Sequence, residues 1–245
     1  MNARTPSIAA IVMVVLGLCS PVAADAGFAQ RGQFVVSGDR LFGVVRGHTQ
    51  ETNGNEQTVT NYTGVSLLAS PLSQVASHFA SPRIAFDYLP INGLTLGLSA
   101  GYFNVALGLR DSFQGRSMSI DGPSVSGFML VPRVGYAYML TRSVGIWPRA
   151  GLTYLHVSET LSNSALNGTS TLKVSLNELA LTLEAALALV PIEHVGFWIG
   201  PVLDVGLSGN QTQTQPSPAV GGSPSNETKT RTTEYGLQAG IFVYL

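Results

Sequence analysis

His156 and Ser158 stand two residues apart in His156-Val157-Ser158-Glu159. In a strand, successive side chains point to opposite faces, so these two share one face. There an imidazole can take the proton of a hydroxyl and make it a nucleophile. Such chemistry needs a third group to orient the ring, and the sequence offers no clear partner, so no catalytic residue is assigned. His48, His78 and His194 are scattered, with no HxH or HxxxH pair, so no metal site is expected. Cys19 is the single cysteine, and beyond it there is no thiol nucleophile, disulfide or Cys-ligated metal. No cofactor is expected either.

A second set of residues is more informative. Charged residues make up 11% of the 245 residues, and the net charge is −1. An ordinary soluble domain carries about 25% charged residues. A basic nucleic-acid binder and a charge-rich disordered chain are therefore excluded. The few charges that remain inside alternating stretches are Arg83, Asp87, Arg133, Arg149, Glu184, Asp204 and Glu234. Each falls between apolar residues on the polar face of its stretch. Their chemistry depends on what that face looks onto.

The elements that would position them are strands. Leu94, Leu96, Leu98, Ala100 and Tyr102 alternate with Thr95, Gly97, Ser99 and Gly101. Ile84, Phe86 and Tyr88 alternate with Arg83, Ala85 and Asp87. Tyr235, Leu237, Ala239, Ile241, Val243 and Leu245 alternate with Glu234, Gly236, Gln238 and Gly240. This period of two predicts eight strands, at about 33–46, 81–89, 94–106, 126–140, 144–157, 172–189, 195–207 and 231–245. Residues 178–190 hold good helix formers, but their leucines keep period two, which favours strand. Residues 65–79 are apolar enough for a short helix or an extra hairpin, which would make ten strands.

The connections alternate in length. Residues 90–93, 141–143 and 190–194 are short turns. Residues 47–80, 107–125, 158–171 and 208–230 are long and rich in Ser, Thr, Asn, Gly and Gln. That is the layout of an antiparallel up-and-down transmembrane β-barrel with long extracellular loops. A soluble barrel with an apolar cavity would need a charged outer face, and the polar faces here are mainly Gly, Ala, Ser and Thr. Charges on the lipid face are costly, about 2–4 kcal/mol for Arg at mid-depth. The seven charged residues are therefore expected inside, as a network filling a lumen that eight strands leave just wide enough for side chains. Pro82-Arg83, Pro132-Arg133 and Pro148-Arg149 open three similar stretches that end in Tyr88, Tyr138 and Tyr154. These tyrosines suit the aromatic girdles of a membrane barrel.

Residues 1–26 read as a cleaved signal peptide, leaving 27–245 as one barrel domain. Arg4 supplies the positive start and Ile8 to Leu18 the apolar core. Those eleven residues are too few for the ~20 of a spanning helix. Small residues allow cleavage after Ala24 or after Ala26.

The last eight residues, Gln238-Ala239-Gly240-Ile241-Phe242-Val243-Tyr244-Leu245, resemble the C-terminal β-signal of Gram-negative outer-membrane proteins. Gln238, Gly240, Val243 and Leu245 match that pattern, although Leu245 stands where Phe is commonest. The resemblance implies the barrel-assembly machinery as a partner during biogenesis. The chain from 31 to 245 also resembles small outer-membrane barrels of the outer-membrane protein A or X type, in layout rather than in a long motif. His156-x-Ser158 is similar to the His-x-Ser of an outer-membrane lipid A deacylase, but Glu159 departs from the Asn that follows there.

The expectation is thus an all-β, eight-stranded barrel in the cell outer membrane. Outer-membrane lipid would surround it, and no nucleic acid is a partner. Its role would be structural or surface-interacting, with a narrow pore for ions or small solutes as the alternative. A lipid-modifying enzyme and a soluble lipocalin-like binder are the lesser readings, and no extracellular ligand is named.

Overall fold

Alternation of large apolar with small or polar residues generates a single antiparallel sheet. A computed structural model describes residues 27–54, 56–67, 79–113, 116–165, 168–214 and 225–245. The expected signal peptide and His78 lie outside the described residues. The strands are β1 (Phe34–Asn53), β2 (Glu56–Leu67), β3 (Arg83–Tyr88), β4 (Leu94–Phe113) and β5 (Arg116–Tyr136), then β6 (Tyr138–Met139), β7 (Val144–Ala165), β8 (Gly168–Ile192), β9 (Val195–Thr214) and β10 (Ser225–Tyr244). They are ordered β10-β9-β8-β7-β5-β4-β3-β1-β2, and β1 pairs again with β10 from Val35 to Thr52. The order of pairings therefore returns on itself.

The ten segments make eight passes. β6 continues β5 beyond Ala137 and pairs with β7. β2 and β3 both pair along β1 and count as one pass. β2 lies along Phe42–Asn53 of β1, and β3 along Phe34–Asp39. So the eight expected segments are all strand, residues 178–190 included, and the extra pieces arise from interruption. Of residues 65–79, Val65–Leu67 end β2, and 68–78 fall outside the described residues.

The stretches expected as long loops are the main correction. β7 runs to Ala165 and β8 starts at Gly168; β4 runs to Phe113 and β5 starts at Arg116. Residues 47–53 and 56–62 also form a ladder with one another. Polarity here reports water, not loop, because Thr and Ser ladders continue the backbone pairing beyond the apolar zone. β8 is 25 residues long and β10 is 20. The shorter of these extends about 66 Å, whereas a 25 Å apolar band at 35–45° tilt takes about half of it.

The two faces are inverted relative to a soluble protein. Ile84, Phe86, Leu96, Leu98, Tyr102, Phe128, Leu130, Val134, Leu183, Phe197, Ile199, Leu237 and Ile241 are all exposed. On β10 the outward side runs Tyr235, Leu237, Ala239, Ile241, Val243, Leu245, about 33 Å along the strand. Tyr88 and Tyr154 are both exposed, Tyr88 beside the short turn to β4 and Tyr154 midway along β7. The repeat thus places its tyrosines at different heights on the sheet.

The interior is layered. From the short-turn end, the buried residues of β7 read Trp147, Arg149, Thr153, Leu155 and Val157. At the bottom, Trp147, Trp198, Phe242 and Tyr244 pack with Ala186, Ala188 and Val190. Phe28, from the segment before β1, inserts among them, 4.8 Å from the Phe242 ring and 5.3 Å from Trp147. That segment is tied to the β3–β4 turn by Gly32 N–H to Leu89 C=O and Gly93 N–H to Ala29 C=O, at 2.8 and 2.9 Å. Gly93 holds φ at +81°, a conformation that favours glycine. Higher up, Phe79, Phe103, Met129, Leu155, Val157 and Ala180 form a second apolar layer. Most of the buried charges lie between the two.

Candidate functional site

Period two places Arg83, Asp87, Arg133, Arg149, Glu184, Asp204 and Glu234 on the inner side of β3, β5, β7, β8, β9 and β10, and all seven are buried. Six of them meet at one level. Arg133 donates from Nε to Asp87 Oδ1 at 2.9 Å, and from its two terminal nitrogens to Asp87 Oδ2 and Asp39 Oδ2. Arg149 Nε lies 2.7 Å from Glu184 Oε2, and its Nη1 is 3.5 Å from Asp39 Oδ1. Arg40 forks onto Asp204 at 2.8 and 3.1 Å and reaches Glu184 Oε1 at 3.4 Å. Thr182 donates to Asp204 at 2.6 Å.

Arg83 joins through the backbone rather than through a carboxylate. Its Nη2 donates to the Phe79 carbonyl at 2.9 Å, and Arg40 Nη1 donates to the same oxygen at 2.6 Å. Two guanidinium groups thus hold the chain entering β3, and Phe79, Ala80 and Ser81 are buried beside them. Glu234 borders this belt. It stands directly across from Asp204 on the neighbouring strand, and Tyr62 donates to it at 2.9 Å.

Asp39 and Arg40 are the members that alternation missed. As consecutive residues they should face opposite sides. The register of β1 on β10 shifts between Gly38 and Phe42, and Arg40 takes φ +56°. This bulge turns both side chains inward, Asp39 at 1% and Arg40 at 0% exposure. The available signal was the adjacent charge pair in Ser37-Gly38-Asp39-Arg40-Leu41, which no period-two strand accommodates without exposing one charge to the apolar face.

The belt is self-compensating. Arg40, Arg83, Arg133 and Arg149 face Asp39, Asp87, Glu184 and Asp204, and their formal charges cancel. Aromatic groups close it below. Arg149 lies between the rings of Trp147 and Trp198, 4.6 and 4.5 Å from their centroids. Trp198 Nε1 donates to Asp39 at 3.0 Å, and Trp147 Nε1 to Thr95 at 3.1 Å. The packing leaves a small cavity among Arg83, Arg133, Arg149, Thr182 and Glu184. Such a set holds strands together, since each ionised group already has a partner of opposite charge or a carbonyl.

Close approach at this level depends on glycine. A Cβ on Gly97 would fall onto the Asp87 carboxylate. Gly97→Ala is therefore expected to push Asp87 off Arg133 and to lower stability by about 3 kcal/mol, as breaking a buried pair does. Urea titration of the protein in lipid vesicles measures this, and a midpoint equal to that of the wild type would refute it.

The residues with possible catalytic spacing lie elsewhere. His156 and Ser158 do share a face, and it is the outward one, with both half-buried. His156 Nδ1 is 2.8 Å from Asn177 Oδ1, to which Tyr154 also donates at 3.2 Å. Among the described residues, no group of three His, Cys, Asp or Glu could hold a metal ion. In the C-terminal stretch, Gln238 and Gly240 face inward while Val243 and Leu245 face outward. A Cβ on Gly240 would run into the Gly38 carbonyl and the Trp198 ring, so this glycine also serves the packing of β10 on β1.

No family model matches the chain. No curated protein matches it either. Among solved structures, the chain is similar to the outer membrane protein OprG from Pseudomonas aeruginosa, at 14% identity and a TM-score of 0.48, over 88% of this chain and 97% of that one. It is similar to the outer membrane protease OmpT from Escherichia coli at 10% identity and 0.49, over 90% and 99%. A major outer membrane protein from Thermus thermophilus gives 14% and 0.48, over 82% and 99%. Likenesses this slight say nothing of activity.

Proposed function

We propose that this chain is a closed, eight-stranded β-barrel of the Gram-negative outer membrane, with a lumen plugged by its own side chains and a structural or surface-interaction role. The observation that carries the reading is the inversion of its faces. Large apolar side chains cover the outside, while four arginines and four carboxylates compensate one another within. In water that arrangement would expose a continuous apolar belt, far beyond the patches of a few hundred Å² that monomers tolerate. In lipid it is the favourable one, because closure satisfies every strand edge. The short turns would face the periplasm and the long hairpins the exterior, where they form the contact surface. Outer-membrane lipid is the solvent of the apolar belt, and the barrel-assembly machinery reads Gln238, Gly240, Val243 and Leu245. The chain performs no catalysis in this reading.

Layers of aromatic, ionic and apolar side chains stack across the lumen, which favours a closed plug over the narrow pore. Heating tests the first part. In the outer-membrane fraction, the unboiled protein is expected to run at a different apparent size on a gel from the boiled protein. Planar bilayers test the second, where the protein should be electrically silent. A soluble protein with no heat-dependent shift would overturn the barrel, and steady open-state conductance would replace the plug with a pore.

A further inference from the structure

The outward cations of the long-hairpin half are unevenly placed. Among the described side chains they are Arg46, Lys173, Lys229 and Arg231, and three of the four lie on the β1–β10 pair. The register puts Arg46 opposite Tyr235, His48 opposite Thr233, Gln50 opposite Arg231 and Thr52 opposite Lys229. Arg46, His48, Lys229, Arg231 and Tyr235 are all exposed. Directly below them, Val44 and Leu237 begin the apolar belt, at 54% and 52% exposure. Arg46 and Arg231 stand four rungs apart, about 13 Å along the strands.

Between Lys229 and the apolar belt, these cations have no carboxylate on their own face. No ion pair joins Arg46, Lys229 or Arg231 to a described carboxylate. Glu51 lies opposite the buried Thr230, on the inner side, and Glu234 is buried. Glu227 shares the outward face but stands beyond Lys229, away from the apolar belt. The interior treats its arginines in the opposite manner, giving nearly every one a carboxylate. The outward group is therefore an uncompensated positive strip, with one end at the apolar boundary and an interfacial tyrosine beside it.

We propose that this strip binds the phosphates of a phosphorylated glycolipid of the lipid A type in the outer leaflet. The inference rests on the reading that the sheet spans the outer membrane. The lipid's acyl chains would lie against Val44, Leu237 and Ile241. Arg46 would meet a phosphate at the level of Tyr235, and Arg231 with Lys229 would meet groups farther out. Guanidinium groups fit phosphate with paired hydrogen bonds, and the low dielectric just below strengthens them. The apolar belt selects a lipid over a free anion, because only a lipid covers both parts of the surface.

The test uses the purified protein in detergent micelles, titrated with bisphosphorylated lipid A and with the same lipid dephosphorylated. Native mass spectrometry counts the bound lipid. The wild type is expected to hold the bisphosphorylated form at least about tenfold more tightly. The Arg46→Gln, Lys229→Gln, Arg231→Gln triple variant should lose that preference, while Arg142→Gln, in an exposed short turn, should keep it. A large excess of inorganic phosphate should not displace the lipid. Equal binding of the two lipids, an unaffected triple variant, an equal loss in Arg142→Gln, or displacement by phosphate would each overturn the site. The heat-dependent gel shift is read on the same samples. Its absence in the wild type would bring down the membrane reading, whereas its presence with equal lipid binding would bring down this inference alone.

Discussion

Arg40→Met should destabilise the folded protein by about 3–5 kcal/mol, the cost of leaving a buried charge without its partner. Arg40 is fully buried and donates to Asp204 twice, to Glu184 and to the Phe79 carbonyl. Without it, Asp204 keeps only the Thr182 hydroxyl among these hydrogen bonds, and the Phe79 segment keeps only Arg83. The loss is one of compensation more than of attraction, since two desolvated ions gain little net energy by meeting. Removing the orphaned charge as well should therefore restore stability. Arg40→Met with Asp204→Asn is expected to recover at least about half of the loss. Urea titration in lipid vesicles, followed by the fluorescence of Trp147 and Trp198, measures all three proteins. A single variant within about 1 kcal/mol of the wild type would refute the belt as a stabilising unit. So would a double variant no better than the single.

Trp198→Ala is the second large effect, at about 3–5 kcal/mol. This ring is 1% exposed and joins two layers. It packs in the aromatic cluster at the short-turn end, covers one face of Arg149 at 4.5 Å, and donates to Asp39 at 3.0 Å. Trp198→Phe keeps an aromatic ring and most of the packing and removes the indole donor. Its expected cost is about 1–3 kcal/mol, for an acceptor on Asp39 left without that bond. The difference between the two variants isolates packing from hydrogen bonding. Equal losses would mean that the aromatic layer contributes nothing beyond the donor. A loss in Trp198→Ala of under about 1 kcal/mol would mean that the lower layer can collapse around the vacancy.

Much of this was legible in the residues themselves. Period two in Leu94–Tyr102 and Tyr235–Leu245 marked strands and their faces, because a strand has no other way to sort its side chains. It also put Arg83, Asp87, Arg133, Arg149, Glu184, Asp204 and Glu234 on the polar side of their strands, opposite the large apolar residues. The ends of the strands were not legible. Ser, Thr and Asn past Val157 and before Leu172 read as loop, yet β7 and β8 pair through Ala165 and Gly168. Local polarity states the solvent of a residue and not its backbone partner. The aromatic layer was equally hidden, because Phe28, Trp147, Trp198 and Phe242 are inward residues that period two marks only as positions on a face.

The amino-acid order by itself determined which side chains share a face, and the scarcity of charge on the polar faces pointed the apolar side outward. It did so because alternation is local and survives without knowledge of neighbours. Which charges meet was decided only by the tertiary structure. Arg40 finds Asp204 across 164 positions of sequence, and Arg133 finds Asp39 across 94. Those pairings depend on the register of β1 against β10 and on a bulge at Gly38–Phe42 that breaks the local rule. Register is a property of two strands together, and so no single stretch of sequence contains it.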